Sequence, residues 1–363
     1  MSAPKDDPTP KALGFRMPAE WEPHEATWLA WPHEAEDWPG KLAPIPWVYA
    51  EVVRHLARGE QVRIIVPDAA TEKKASALLA RVGVDGAHVE FFRIPTDRSW
   101  TRDTCPLFVT DRVGTVGLTN WRFNGWAKYP NHKKDDAIND RLAKLLKMRQ
   151  WKPTVQVEGK PWRIVMEGGS LDVNGRGTIL TTEECLLSPV QARNPGVSRE
   201  EIERVLCEHL GARKVLWLGN GIAGDDTHGH VDDLARFVDA RTVVVAAEDD
   251  ARDVNHAPLR ENRARLQRMT TADNERLRVE TLPMPAPVVL DGVRLPASYA
   301  NFYIGNAVVI VPTFNDPHDR EALSTLARLF PTRTVVGIHA VDLVWGLGTL
   351  HCMTQQQPAG KRR

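Results

Sequence analysis

The sequence predicts a mixed α/β or α+β fold around one large core. Three observations predict it: short β-branched apolar runs recur, amphipathic helical patterns lie between them, and no linker cuts the chain in two. The runs cover residues 62–66, 89–94, 113–118, 178–180, 214–218, 242–247, 307–311 and 334–336. Most are bounded by Gly, Pro, Asn or Asp, which favour turns over continued strand. Ala75, Leu78, Leu79 and Val82 then follow i, i+3, i+4, i+7, and Gly83 stops that helix. Ile138, Leu142, Leu145 and Leu146 outline a second helix. Ser198 and Glu201 form a capping box, after which Ile202, Val205, Leu206 and Leu210 share a face ended by Gly211. Asp316 and Pro317 read as N-cap and first helical residue. Leu323, Leu326, Ala327 and Phe330 share the next face, and Pro331 blocks continuation. The charge-rich stretch 248–280 reads as an exposed helix with loops.

The 363 residues carry 47 Lys plus Arg and 47 Asp plus Glu, so no net field draws nucleic acid or an anionic membrane. Hydrophobic residues at 42% and charged residues at 26% argue against disorder. The four cysteines, Cys105, Cys185, Cys207 and Cys352, form no C-x-x-C pair. They predict neither a zinc site nor a disulfide scaffold, and fit a reducing, cytoplasmic compartment. Residues 1–15 lack the apolar stretch of a signal peptide, and no run approaches the roughly 18 apolar residues of a membrane span. Phosphate-loop, dinucleotide, serine-elbow and H-E-x-x-H motifs are absent.

Five segments hold unusual chemistry. In residues 98–103 two arginines and Asp103 surround Trp100; alone this reads best as a solvated loop with an ion pair. In residues 166–170 Glu167 precedes two glycines that permit close backbone approach, although a plain hairpin would look the same. In residues 224–233 an extended chain would put His230 and Asp232 on one face, with metal and acid–base roles both open. Here function outweighs a structural explanation. In residues 346–356 a glycine-rich turn leads to His351 and Cys352; a lone Cys is more often a small core residue, but the polar surroundings argue against that. Cys185 and Cys207 lie in apolar or helical contexts and read as core. Finally Trp21, Trp28, Trp31, Trp38 and Trp47 interleave with His24 and His33, mainly as core packing.

Taken in order, these segments make the chain similar to the agmatine deiminase and bacterial peptidylarginine deiminase family of the guanidine-modifying (pentein) superfamily. The resemblance rests on residues 17–24 with 28–32, 100–103, 167–169 with 180–186, 229–232, 297–303, and 351–352 with 354–356. It implies a five-bladed, pseudo-symmetric ββαβ propeller with the site in a central funnel. Residues 17–357 form the single catalytic domain, 1–16 an N-terminal extension, and 358–363 a polar tail expected to fray. It further implies hydrolysis of the agmatine guanidinium to N-carbamoylputrescine and ammonia, a step toward putrescine and polyamines. Cys352 is the implied nucleophile and His230 the acid, then base. Glu167 orients His230, and Asp103 and Asp232 hold the guanidinium, with Trp100 and Arg102 also near the substrate. No metal or organic cofactor is implied. The expected partner is a small cationic guanidine, and self-association stays open.

Two positions depart from the family pattern: Cys105 precedes Pro106 where glycine is usual, and Leu347 interrupts the glycine-rich turn. Peptidyl or free arginine is the alternative substrate. A metal-dependent agmatine ureohydrolase would use His228, His230, Asp225, Asp226 and Asp232, but would lack a second Asp-rich motif and leave Cys352 without a task. A guanidine- or amine-binding protein without turnover would likewise need no nucleophile.

Overall fold

Five sheets repeat one strand order in this computed structural model, which describes residues 7–361. In each, an antiparallel pair is followed, across a helix, by a parallel strand. Leu107–Thr110 and Val116–Thr119 are joined through helix Ile138–Leu146 to Gln150–Trp151. Leu171–Val173 and Thr178–Thr182 lead through Arg199–Leu210 to Lys214–Leu218. Ala235–Phe237 and Thr242–Ala247 lead through His256–Arg268 to Arg278–Pro283. Tyr303–Ile304 and Val308–Thr313 lead through His318–Leu329 to Thr334–His339. The remaining sheet joins both ends of the chain. Gln355–Pro358 lies antiparallel to His24–Ala30, which continues through Ile45–Leu56 to Gln61–Val66 and through Ala69–Arg81 to Val89–Arg93. The mixed α/β class predicted from sequence is the class observed. Among the described residues no helix is long and apolar enough to cross a membrane.

The middle strands are covered on both faces, which is why Thr242–Ala247 and Val308–Thr313 read as unbroken apolar runs rather than alternating ones. Neighbouring sheets share their cores. Trp28, Ile65, Phe108 and Leu118 pack together between the first two sheets in chain order, and Val109, Trp151, Ile179 and Trp217 between the next two. Leu180, Leu218, Phe237 and Val245 fill the following junction. Val309 and Leu326 of the last sheet join Val53 and Ile64 of the first.

The capping box at Ser198 and Glu201 is present, and Gly211 ends that helix at φ 67°. At residue 316 the helix starts one step later than expected. Pro317 is the N-cap, and Asp316 accepts the His318 amide at 2.8 Å. The strand expected from residue 113 starts at Val116, because Asp111 ties the amides of Val113 and Thr115 into a turn. Residues 1–6 of the expected extension and 362–363 of the expected tail lie outside the described residues. The rest is tied down. The Trp151 indole donates to Pro8 O at 3.0 Å and Lys11 to Ala212 O at 2.8 Å. Residues 359–361, expected to fray, are hydrogen-bonded: the Ala359 amide donates to Pro23 O at 2.8 Å and the Lys361 amide to Gly114 O at 2.6 Å.

Candidate active site

Each of the five sheets is entered through the same kind of segment, a tight turn just before its first strand. These turns carry the chemistry. Thr101–Thr104 precedes Leu107–Thr110, Gly168–Ser170 precedes Leu171–Val173, and Val231–Asp233 precedes Ala235–Phe237. Asn301 lies two residues before Tyr303–Ile304, and Cys352 three before Gln355–Pro358. Sequence-distant groups therefore meet because topologically equivalent turns meet.

Cys352 Sγ accepts a hydrogen bond from Asn301 Nδ2 at 3.1 Å and donates toward Asp232 Oδ2 at 3.8 Å. His230 lies among three carboxylates: Nδ1 is 3.9 Å from Asp103 Oδ1 and 3.9 Å from Asp232 Oδ1, and Nε2 is 3.7 Å from Glu167 Oε2. Both ring nitrogens, Asp232 Oδ1 and Glu167 Oε2 are buried without a hydrogen-bond partner. Buried polar atoms rarely stay so, and this cluster marks a site built for an incoming donor-rich group. Asp103 accepts from the Gly169 amide at 3.0 Å and from the Trp126 indole at 2.9 Å, which fixes both oxygens.

Gly169 is required by space. A Cβ there would lie 2.5 Å from His230 Nδ1 and 3.0 Å from Asp103 Oδ1. Gly348 serves the nucleophile similarly, since its Cβ would press on Cys352 Cβ and Trp100 at 3.0 Å each. Leu347 adopts the left-handed conformation at φ 65°, one that glycine takes without cost. The departure at Leu347 is thus accommodated by strain.

A cavity of about 370 Å³ opens above Cys352 and Asp103. Trp100, Trp126 and Tyr129 line it, and Glu36, Asp37, Arg98 and Asp226 line it as well. Arg98 is ion-paired with buried Asp37 and stacks at 4.2 Å on Tyr129. Asp226 is paired with Lys128 and accepts from the Tyr129 hydroxyl at 2.6 Å.

The charges are set by burial and by neighbours. Burial alone would lower the His230 pKa, but Asp103, Cys185 and Glu167 outweigh it and hold it well above the ordinary range. Burial opposes the Glu167 charge, yet Arg193 and His230 bring its pKa down to about 2. Burial is likewise overcome at Asp232, where His351 keeps the carboxylate below its usual range. Cys352 moves the other way. Burial first, then Asp232, Asp233 and Asp103, push the thiol well up.

The structure brings together Cys352, His230, Glu167, Asp103 and Asp232 and puts Trp100 on the cavity wall. His230 and Asp232 meet through a turn rather than the extended chain expected, His230 being the N-cap of Val231–Asp233. Arg102 is a correction: it does not reach the cavity. Its guanidinium is spent on His351 O at 3.3 Å, Gln356 Oε1 at 2.7 Å and Glu20 at 3.4 Å. The metallohydrolase set does not gather either. Asp225 braces the amides of Thr227, Gly229 and His230, and His228 contacts Ser188 and Glu184. Asp226 is held by Lys128. Cys105 lies in the apolar cluster with Trp28 and Phe108, where burial pushes its thiol pKa up. Cys185, read as core, has its sulfur grouped with Glu167 and His230 within 4.8 Å. Asn301, Trp126 and Arg193 are not among the residues the sequence singles out, and His351 is named there beside Cys352 without a role. Only Asn301 and His351 carried a signal, by falling inside the matched segments 297–303 and 351–352.

The family model described as Porphyromonas-type peptidyl-arginine deiminase matches residues 16–358. An agmatine deiminase of Stutzerimonas stutzeri (strain A1501) is 38% identical over 97% of this chain and 97% of its own length. One from Pseudomonas aeruginosa (strain LESB58) is 35% identical over 98% of each chain. The solved agmatine deiminase of Enterococcus faecalis superposes with TM-score 0.88 at 32% identity, covering 98% of this chain and 99% of that one. With its five motif-bearing turns gathered beneath one cavity, this chain belongs to the family of agmatine deiminases and Porphyromonas-type peptidyl-arginine deiminases.

Proposed function

We propose that the protein hydrolyses the guanidinium of agmatine, giving N-carbamoylputrescine and ammonia and so feeding polyamine synthesis. The observation that carries the reading is the Cys352 thiol at a cavity shared with Asp103, backed by buried His230, Glu167 and Asp232. A guanidinium is planar and permanently charged, and two carboxylates can hold it by paired hydrogen bonds. Asp103 and Asp232 supply them. The arriving cation offsets the negative charges that keep the thiol protonated, so Cys352 loses its proton to solvent and its sulfur bonds to the guanidinium carbon. His230, already an imidazolium, gives its proton to the departing nitrogen, and ammonia leaves a thiouronium on Cys352. Neutral His230 then takes one proton from water as the oxygen attacks, and the carbon–sulfur bond breaks to give the urea as the remaining hydroxyl proton passes to the departing sulfur and restores the Cys352 thiol. The thiol proton released first and the ammonia together make ammonium. Glu167, held ionised by Arg193, favours the charged imidazole.

Every group in this scheme is a side chain or water. Agmatine is favoured over free arginine by the cavity wall, where Asp37 and Asp226 are matched by Arg98 and Lys128 and Glu36 is left as the surplus charge. A distal ammonium suits that wall better than an α-carboxylate does. Cytoplasmic residence belongs to the same proposal, because the scheme needs a reduced Cys352 and all four cysteines are free.

The test incubates the protein separately with agmatine, arginine and a blocked arginine peptide, and measures ureido product and ammonium. Agmatine should be turned over best, and Cys352→Ala should give no product, a loss above roughly 4 kcal/mol of barrier. Preference for the peptide would overturn the substrate assignment. Full activity in Cys352→Ala would overturn the mechanism.

A further inference from the structure

The matched segment 17–24 contains Glu20, a buried carboxylate to which the reaction above gives no task. It stands beneath the site. His351 Nε2 lies 2.8 Å from Glu20 Oε2, and His351 Nδ1 lies 2.6 Å from Asp232 Oδ2. Both ring nitrogens thus face carboxylate oxygens, and only an imidazolium can donate to both. Glu20 is itself held by Arg236 at 2.9 Å and Arg102 at 3.4 Å, while its other oxygen accepts the Ile304 amide at 2.8 Å. Arg236 also reaches Asp172 at 3.4 Å. The chain Glu20–His351–Asp232 is therefore anchored at one end and aimed at the other. Asp232 spends Oδ2 on His351 and leaves Oδ1 buried and without a partner on the side of His230.

We propose that His351 is a positioning residue that, gripped by Glu20, turns Asp232 Oδ1 toward the incoming guanidinium and keeps that carboxylate anionic. This rests on the deiminase reading and deepens it. The surrounding charges make the device necessary. Asp103, Asp233 and Cys352 crowd Asp232 with actual or developing negative charge, against which stand His230, Arg236 and His351. Without His351 the balance shifts toward protonated Asp232, which cannot hold a cation. The donation to Oδ2 also sets the rotamer, because a carboxylate with one oxygen pinned can present only the other. Glu20 makes His351 a dependable donor, and Arg102, absent from the cavity, finds its place here as part of the grip on Glu20.

The test is the pH profile of kcat/KM for agmatine in the wild type, His351→Ala, His351→Asn and Glu20→Gln, with thermal unfolding of each. Asparagine places a donor near the position of Nδ1, whereas alanine places none. In His351→Ala the acid limb should move to higher pH, and KM at neutral pH should rise about tenfold or more while kcat falls less. His351→Asn should recover part of both effects. Glu20→Gln should shift the acid limb in the same direction, although Glu20 does not line the cavity. If His351→Ala does not fold, His351→Asn and Glu20→Gln carry the test. Losses uniform across pH, equal in the alanine and asparagine variants, would overturn the proposal, as would unchanged profiles in all three. A wild type inactive on every guanidine would instead sink the deiminase reading.

Discussion

Arg193 Nε meets Glu167 Oε1 at 3.1 Å, and neither side chain has any solvent exposure. The same guanidinium donates to Gln191 O at 3.0 Å and Thr227 O at 2.5 Å, so it pins the loop preceding His230 as well as the acid behind it. Removing one partner of such a pair strands a buried charge, and Arg193→Met should therefore cost about 3 kcal/mol or more in urea unfolding. The pH dependence has a definite sign. The folded pKa of about 2 lies below the ordinary 4.5, so the Glu167 charge contributes stability above the ordinary value. That contribution is lost as pH falls from about 4.5 through about 2. In Arg193→Met the loss over that range should be smaller, because the folded pKa moves back toward the ordinary value, and an unchanged pH dependence of stability would refute the coupling.

Burial and the neighbouring carboxylates push the Cys352 thiol pKa well up, so the resting side chain is expected to be protonated. At neutral pH the ultraviolet thiolate absorbance of the free protein should equal that of Cys352→Ser. Adding a guanidinium that binds without reacting should raise it in the native protein alone, since the cation removes the field of Asp232, Asp233 and Asp103. A Cys352 thiolate signal already complete before ligand addition would contradict the order of events.

Gly169→Ala tests how closely the acids and the imidazole are packed. A methyl group 2.5 Å from His230 Nδ1 has to displace it or Asp103. Activity should fall at least roughly a hundredfold, given the sensitivity of catalysis to small misplacements. Near-native activity in steady-state assays would show the cluster to be looser than described.

Trp126→Phe keeps an aromatic wall and deletes the indole donor to Asp103 Oδ2. A hydrogen bond to a charged acceptor contributes about 1.5–3 kcal/mol, so kcat/KM should drop roughly tenfold or more, mainly through KM. An unchanged KM would place the guanidinium elsewhere.

Much of this was legible in the chain, for reasons that differ by element. Helices with side-chain caps and apolar faces, such as Arg199–Leu210, announce themselves because their local signals agree with their tertiary role. Gln355–Pro358 does not. Glutamines usually lie at the surface, yet these three are buried, with the Trp28 indole and Arg63 donating to Gln357 and Arg102 donating to Gln356. His230, Asp232 and Cys352 stood out as unusual chemistry in sequence, and the resemblance supplied their roles. Trp126 and Arg193 were invisible, because each acts through a partner far along the chain and neither stands in a matched segment. Arg102 misled for the converse reason: adjacency to Asp103 in sequence says nothing of direction on a one-turn helix, where successive side chains diverge.

The pairing of Gln355–Pro358 with His24–Ala30 has a consequence for how the enzyme comes into being. The nucleophile lies immediately upstream of the closing strand and follows Asp103, Glu167, His230 and Asp232 in chain order, so it is translated after them. A product cut short of residue 355 lacks the seam that seats the thiol. Thiol chemistry is thereby made contingent on that strand pairing with His24–Ala30.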